Sequence, residues 1–167
     1  MQVTVSDTGP ESFDRFYRDF NSFYDETRDR VYRSLGLALG DADLAAEATD
    51  EAMTRAVAAW DSVRDYSNPA GWVYRVGINW GRTIQRRRTR RPFPPPAPAA
   101  YEVELPDPTI AAAVAALPLR YRAVVVARYY LQWTPQEIAD AMQVSGGTVR
   151  SRLKRALDRL RSEVNER

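Results

Sequence analysis

Along this chain apolar side chains return every three or four residues, the spacing that places them on one face of an α-helix. Phe13, Phe16, Tyr17, Phe20, Phe23 and Tyr24, followed by Val31, Tyr32, Leu35 and Leu39, describe one long amphipathic helix or two in tandem. An aromatic stripe at this spacing reads as core. Gly40 ends it, and Asp41 or Asp43 can cap the next helix, an alanine-rich run from Ala42 to Trp60. There Leu44, Ala48, Ala52, Ala56 and Val57 face inward, with Asp43, Glu47, Asp50, Glu51 and Arg55 outside. A polar loop over 61–68 leads to Asn68 as a cap and Pro69 as a first helical residue. The helix that follows packs through Trp72, Val73, Val76, Trp80 and Ile84, and Arg82, Arg86, Arg87, Arg88, Arg90 and Arg91 crowd its end.

Residues 92–108 hold seven of the eleven prolines. So few N–H donors exclude helix or sheet interior, and extended at about 3.1 Å per residue the segment reaches on the order of 50 Å. It is a spacer, expected to hold its flanking modules apart. Beyond it Thr109–Leu117 predicts a helix stopped by Pro118, and Leu119–Trp133 predicts another with Tyr121, Val124, Val125, Ala127, Arg128, Tyr129 and Leu131 on its apolar face. The expected fold is therefore all-α: a flexible leader over 1–10, a helical domain over 11–91, the spacer, and a second helical domain over 109–167.

The last segment is the most informative. Thr134, Pro135 and Glu137 form a capping-box start, Ile138, Ala139 and Met142 share a face, and the helix stops near Gln143 and Val144. Ser145 can cap a second helix, in which Val149, Leu153, Ala156, Leu157 and Leu160 make a buried stripe. This is a helix-turn-helix, whose second helix lies in the DNA major groove. Gly146 and Gly147 let backbone amides approach a phosphate closely. Arg150 can present its fork to guanine or phosphate, Thr148 and Ser151 supply hydroxyls, and Arg152, Lys154 and Arg155 can neutralise backbone charge.

The chain has 167 residues and a net charge of only +2, but the charge is segregated. Residues 1–60 carry six Arg against twelve acids, 61–101 eight Arg against two acids, and 110–167 ten bases against five acids. Two basic blocks behind an acidic one point to nucleic acid at two places and to a different protein partner at the front. With no Cys and no His, the chain has no thiolate or imidazole for a metal site or general base. Asp50 and Glu51 point about 100° apart on a helix and cannot flank one bond. No cofactor, metal or catalytic group is expected, and a nuclease is disfavoured. No apolar run is long enough to span a bilayer and the first residues lack a signal-peptide pattern, so a cytoplasmic protein is expected. Aromatics followed by arginines at 72–91 suit single-stranded DNA, or equally a packed core with a solvated tail.

The stretch E-I-A-D-A-M-Q-V-S-G-G-T-V-R-S-R-L-K-R-A resembles region 4 of bacterial sigma factors, in the small extracytoplasmic-function group. A-G-W-V-Y-R-V-G-I-N is similar to that family's W-L-Y-R-I-A-x-N segment, and D-E-A-M at 50–53 stands where the family has D-x-x-Q-E-A-F, with Asp50 for Gln and Met53 for Phe. The resemblance implies a region 2-like bundle and a region 4-like helix-turn-helix that direct core RNA polymerase to promoter DNA. It implies −35 contacts from Ser145 to Arg155. It further implies a −10 base pocket at Val63, Tyr66, Ser67 and Asn79, supported by Trp72. Thr83 occupies a position that is often polar in the family and bears on the base preferred, and Arg82, Arg86, Arg87 and Arg88 grip the backbone. Asp43, Glu47, Asp50, Glu51 and Met53 would dock on polymerase, Arg120 or Arg122 would reach phosphate, and an anti-sigma factor would hold the protein inactive. The alternative is an autonomous helix-turn-helix regulator.

Overall fold

With no proline or glycine between Pro10 and Gly36 to interrupt it, the first amphipathic pattern forms one 30-residue helix, α1 (Pro10–Leu39). The computed structural model describes residues 9–90 and 108–166, so the leader's residues 1–8, Arg91, residues 92–107 of the spacer and Arg167 lie outside the described residues. At about 1.5 Å per residue α1 is about 45 Å long, against about 25 Å for α2 (Ala42–Ala58) and about 33 Å for α4 (Pro69–Arg90). Its first turns therefore overhang their neighbours. Phe13 and Tyr17 are 58% and 48% exposed, which corrects the expectation that the whole aromatic stripe is core. The stripe meets a partner from Phe20 onward, where Phe20 and Phe23 lie 5.3 and 4.8 Å from the Trp60 ring.

Asp41 starts α2 by accepting a hydrogen bond from the Leu44 N–H at 2.9 Å. The buried methyls of Ala45, Ala48, Ala52 and Ala56 let α2 lie close against α1 and α4. A short helix α3 (Trp60–Val63) occupies the start of the expected polar loop, with both terminal residues buried. Asn68 then accepts from the Gly71 N–H at 3.1 Å to open α4. A Cβ on Gly77 would stand 2.6 Å from Leu35 Cδ1, so α4 lies close on α1 there and any larger residue would have to displace the Leu35 side chain.

The second lobe comprises α5 (Pro108–Ala116), α6 (Leu119–Val125), a π-helical turn (Val126–Tyr130), α7 (Pro135–Met142) and α8 (Gly146–Asn165). The uninterrupted helix expected over Leu119–Trp133 is thus corrected. The Leu131 N–H reaches back to the Val126 carbonyl at 3.0 Å, and Gln132 turns left-handed at φ 59°. The wide turn throws Tyr129 outward, 58% exposed, and keeps Leu131 and Trp133 buried. The capping box forms as its residues require: Thr134 Oγ1 accepts from the Glu137 N–H at 3.2 Å, and Glu137 Oε2 accepts from the Thr134 N–H at 2.7 Å. Thr134→Ala should lower stability by about 1 kcal/mol, seen as an earlier denaturation midpoint at unchanged m-value.

Contrary to the expectation of modules held apart, the two lobes share one hydrophobic core. Tyr74 of α4 is completely buried; its ring meets Trp133 edge-on at 5.7 Å and its hydroxyl donates to the Ala123 carbonyl at 2.8 Å. Burial pushes the Tyr74 hydroxyl far above the ordinary tyrosine range, so it serves as a neutral donor. Arg30 donates to the Leu131 carbonyl at 2.7 Å, and Arg122 donates to the carbonyls of Ala38 and Ala115. Satisfying backbone carbonyls across a seam with charged donors locks the two lobes in register.

Candidate nucleic-acid and protein interfaces

The helix-turn-helix is built by local chemistry. Gln143 takes the left-handed conformation, φ 55°, and ends α7. Ser145 Oγ accepts from the Thr148 N–H at 3.1 Å and lies 2.9 Å from Thr148 Oγ1, fixing the first turn of α8. Val149, Leu153 and Ala156 are buried against the lobe, while Leu157 and Leu160 are half-buried. Ser145, Gly147, Arg150, Ser151, Lys154 and Arg155 are left exposed on the outer side, with Gly146, Thr148 and Arg152 half-exposed among them. The Arg150 guanidinium lies back over the helix start, where a Cβ on Gly146 would be 3.2 Å from it. Every residue expected at the −35 element is therefore on or beside one accessible face.

Beside that face, α6 and the first turns of α8 enclose a notch of about 500 Å³, with Arg120, Arg152 and Arg155 on its walls and the hydroxyls of Ser145, Thr148 and Ser151 at its rim. Cations, hydroxyls and the free amides of a helix start together suit an anionic oxygen. Arg120 lines this notch. Arg122 does not: it is half-buried, its pKa is lowered by desolvation, and its guanidinium is held by the carbonyls of Ala38 and Ala115.

On the first lobe, Tyr66 and Ser67 are exposed on the turn before α4. Asn79, Arg82, Thr83 and Arg86 follow along α4 at helical spacing, and all are exposed. Arg82 donates to Asn79 Oδ1 at 3.3 Å and Thr83 Oγ1 to the Asn79 carbonyl at 3.0 Å, which holds the group in place. Arg87 is also exposed. Arg88 is exposed as well, within 3.4 Å of Asp41 and 3.9 Å of Glu47. One expectation is corrected. Val63 is 1% exposed, a core residue under the turn that cannot touch a base in this arrangement.

The acidic ridge lies along α2, with Asp43, Glu47 and Asp50 exposed and Glu51 half-buried. Asp50 faces Arg28 at 3.6 Å and Glu51 faces Arg55 at 2.7 Å. Met53, expected among the polymerase contacts, is 3% exposed and packs in the core instead. Its position in the motif identified its segment but not its orientation. Tyr74 and Arg30, which join the lobes, were not singled out from the sequence. A buried tyrosine beside the recognised Trp72 was the available signal for the first; nothing marked Arg30 among the other surface arginines. Among the described residues no group of His, Cys, Asp or Glu could hold a metal ion, and no helix is long and apolar enough to cross a membrane.

Residues 109–160 match the family model described as sigma-70, region 4. An RNA polymerase sigma-E factor from Streptomyces avermitilis is 31% identical over 157 residues, covering 89% of this chain and 87% of that protein. The ECF RNA polymerase sigma factor SigW from Bacillus subtilis is 26% identical over 170 residues, covering 88% and 89%. Among solved structures, the sigma factor RpoE in complex with the anti-sigma factor NepR from Bartonella quintana has a TM-score of 0.70 at 20% identity, covering 89% of this chain and 98% of that one. That likeness bears on the fold alone.

Proposed function

Since this chain belongs to the extracytoplasmic-function group of sigma-70 family RNA polymerase sigma factors, we propose that its two lobes divide promoter recognition between them. The protein is a transcription initiation factor and not an enzyme: it directs core RNA polymerase to promoters. In the proposed division, residues 109–167 read the −35 element through Ser145 to Arg155. Residues 11–91 take the −10 element through Tyr66, Ser67, Asn79, Thr83 and the arginines 82, 86 and 87. Core polymerase is engaged by Asp43, Glu47, Asp50 and Glu51 on α2. The observation that carries this reading is the recognition helix: capped by its own serine and braced on a buried apolar stripe, it leaves its basic residues on one open face.

The matching relatives cover the first lobe as well as the helix-turn-helix, which favours a sigma factor over an autonomous regulator. The RpoE neighbour is held by an anti-sigma factor, and we infer a partner of that kind here, covering the acidic ridge or the recognition helix. A cytoplasmic site of action follows from the polymerase partner.

Transcription reconstituted with core polymerase and genomic fragments tests the whole. Adding the protein should produce discrete start sites, and Arg150→Ala should weaken specific promoters by about 1–3 kcal/mol while sparing random DNA. Equal loss on both would move Arg150 from base reading to phosphate contact. Absence of start-site selection would overturn the proposal.

A further inference from the structure

The arginines around the notch raise a physical question. Arg120 and Arg155 converge there, and Arg159 follows one turn further along α8, so like charges crowd together with no DNA to balance them. Left alone they would swing apart into solvent. Tyr121 stands among them, 4% exposed at the base of the notch. Its ring lies under two guanidinium groups at once, with Arg120 4.7 Å and Arg159 5.1 Å from its centroid. Its hydroxyl accepts from Arg120 Nη2 at 3.3 Å, and Arg155 lines the notch beside it. The negative face of the ring and the acceptor oxygen together gather three cations from two helices. Arg120 and Arg155 hold the hydroxyl below the ordinary tyrosine range, because cationic donors favour negative charge on its oxygen.

We propose that Tyr121 is a positioning residue for DNA-backbone capture: it sets Arg120 and Arg155 at the notch beside the α8 N-terminus, with Arg159 over its ring, before DNA arrives. The proposal rests on the reading of α8 as a DNA-binding helix and adds what makes the site ready. Ordering long side chains in advance removes an entropic cost that would otherwise fall on binding. Tyr121 touches no base itself; its contribution passes through the arginines. Phosphate contacts carry no sequence information, so its effect should be the same on every duplex.

The test uses the full chain and a short random-sequence duplex, with affinity measured by fluorescence anisotropy across a salt series. Tyr121→Phe keeps the ring and the packing and removes only the acceptor oxygen. It should bind about 3- to 10-fold more weakly, with a salt slope shallower by roughly 0.9 for each phosphate no longer neutralised. In an Arg120→Ala, Arg155→Ala background the same substitution should cost nothing further, because its partners are gone. Thermal unfolding of the variant should stay near the parent's, since an effect through the fold would shift it and leave the slope alone. Unchanged affinity and slope, or a full loss persisting without the arginines, would overturn the positioning role while leaving the DNA-binding reading intact. If the parent itself showed no salt-dependent binding, that reading would fail and take this one with it.

Discussion

Gly71→Ala should part the two lobes without unfolding either. Gly71 sits in the first turn of α4 directly against α7, and a Cβ there would stand 2.7 Å from Ala141 Cβ. Carbon atoms in ordinary contact are about 3.5–4.0 Å apart, so the helices must separate by about 1 Å. Neither contact atom is the tip of a flexible side chain, which leaves rigid-body movement as the relief. Within the first lobe the new Cβ meets the Asn68 side chain at 3.0 Å from Nδ2, a milder contact, and alanine is at least as good a helix former as glycine, so the substitution acts mainly on the seam. Overpacking of this kind costs about 1–3 kcal/mol, and the seam also loses the geometry that Tyr74 and Trp133 need.

Small-angle scattering measures the outcome. A closed chain of 167 residues has an expected radius of gyration of about 15 Å, and an open one on a spacer reaching about 50 Å should exceed it by on the order of 5 Å. Ala141→Gly in the same chain removes the clash and should restore the closed value in part. An unchanged radius in Gly71→Ala would count against a seam that opens. The prediction has a functional side. Elements about 25 base pairs apart, as the names −35 and −10 imply, lie about 85 Å apart along B-DNA. A closed body cannot touch both, so the proposed division of labour requires the lobes to separate on the promoter. Loosening the seam should therefore raise promoter occupancy at limiting protein.

Reversing charge on the acidic ridge should have the other large effect. Asp43→Lys with Glu47→Lys changes the charge of the α2 surface by four units while leaving its buried alanine face untouched. The pair between Glu47 and Arg88 at 3.9 Å is solvent-exposed and worth about 0–1 kcal/mol, so folding should survive. If this ridge seats on core polymerase, placing like charges against the partner costs several kcal/mol. Co-purification with core enzyme should then fall by about 100-fold or more, whereas Glu163→Lys, near the far end of α8, should leave it unchanged. Retention of stoichiometric complex by the doubly reversed protein would remove α2 from the polymerase interface.

Legibility from the sequence differed by kind of feature. The starts of α2, α4, α7 and α8 were all readable, since Asp41, Asn68, Thr134 and Ser145 each bond a backbone N–H three residues on. The helix-turn-helix was readable for the same reason, because its turn and caps lie within a few residues of one another. The acidic ridge was found but one of its members was not on it: Met53 follows Glu51 closely in sequence yet turns into the core. Val63 went the same way, because a loop expected to be polar closed into a helical turn.

What the sequence alone determined was therefore everything enforced over one or two helical turns: the all-α character, the caps, the recognition helix and the segregation of charge. Tertiary structure decided which cations remain available, since Arg122 is engaged by carbonyls in both lobes. It also decided how far the aromatic stripe of α1 is covered, and that the lobes close on Tyr74. Periodicity specifies that a face is apolar or charged; only the neighbour brought against that face, from a distant part of the chain, decides whether it is buried, paired or left open.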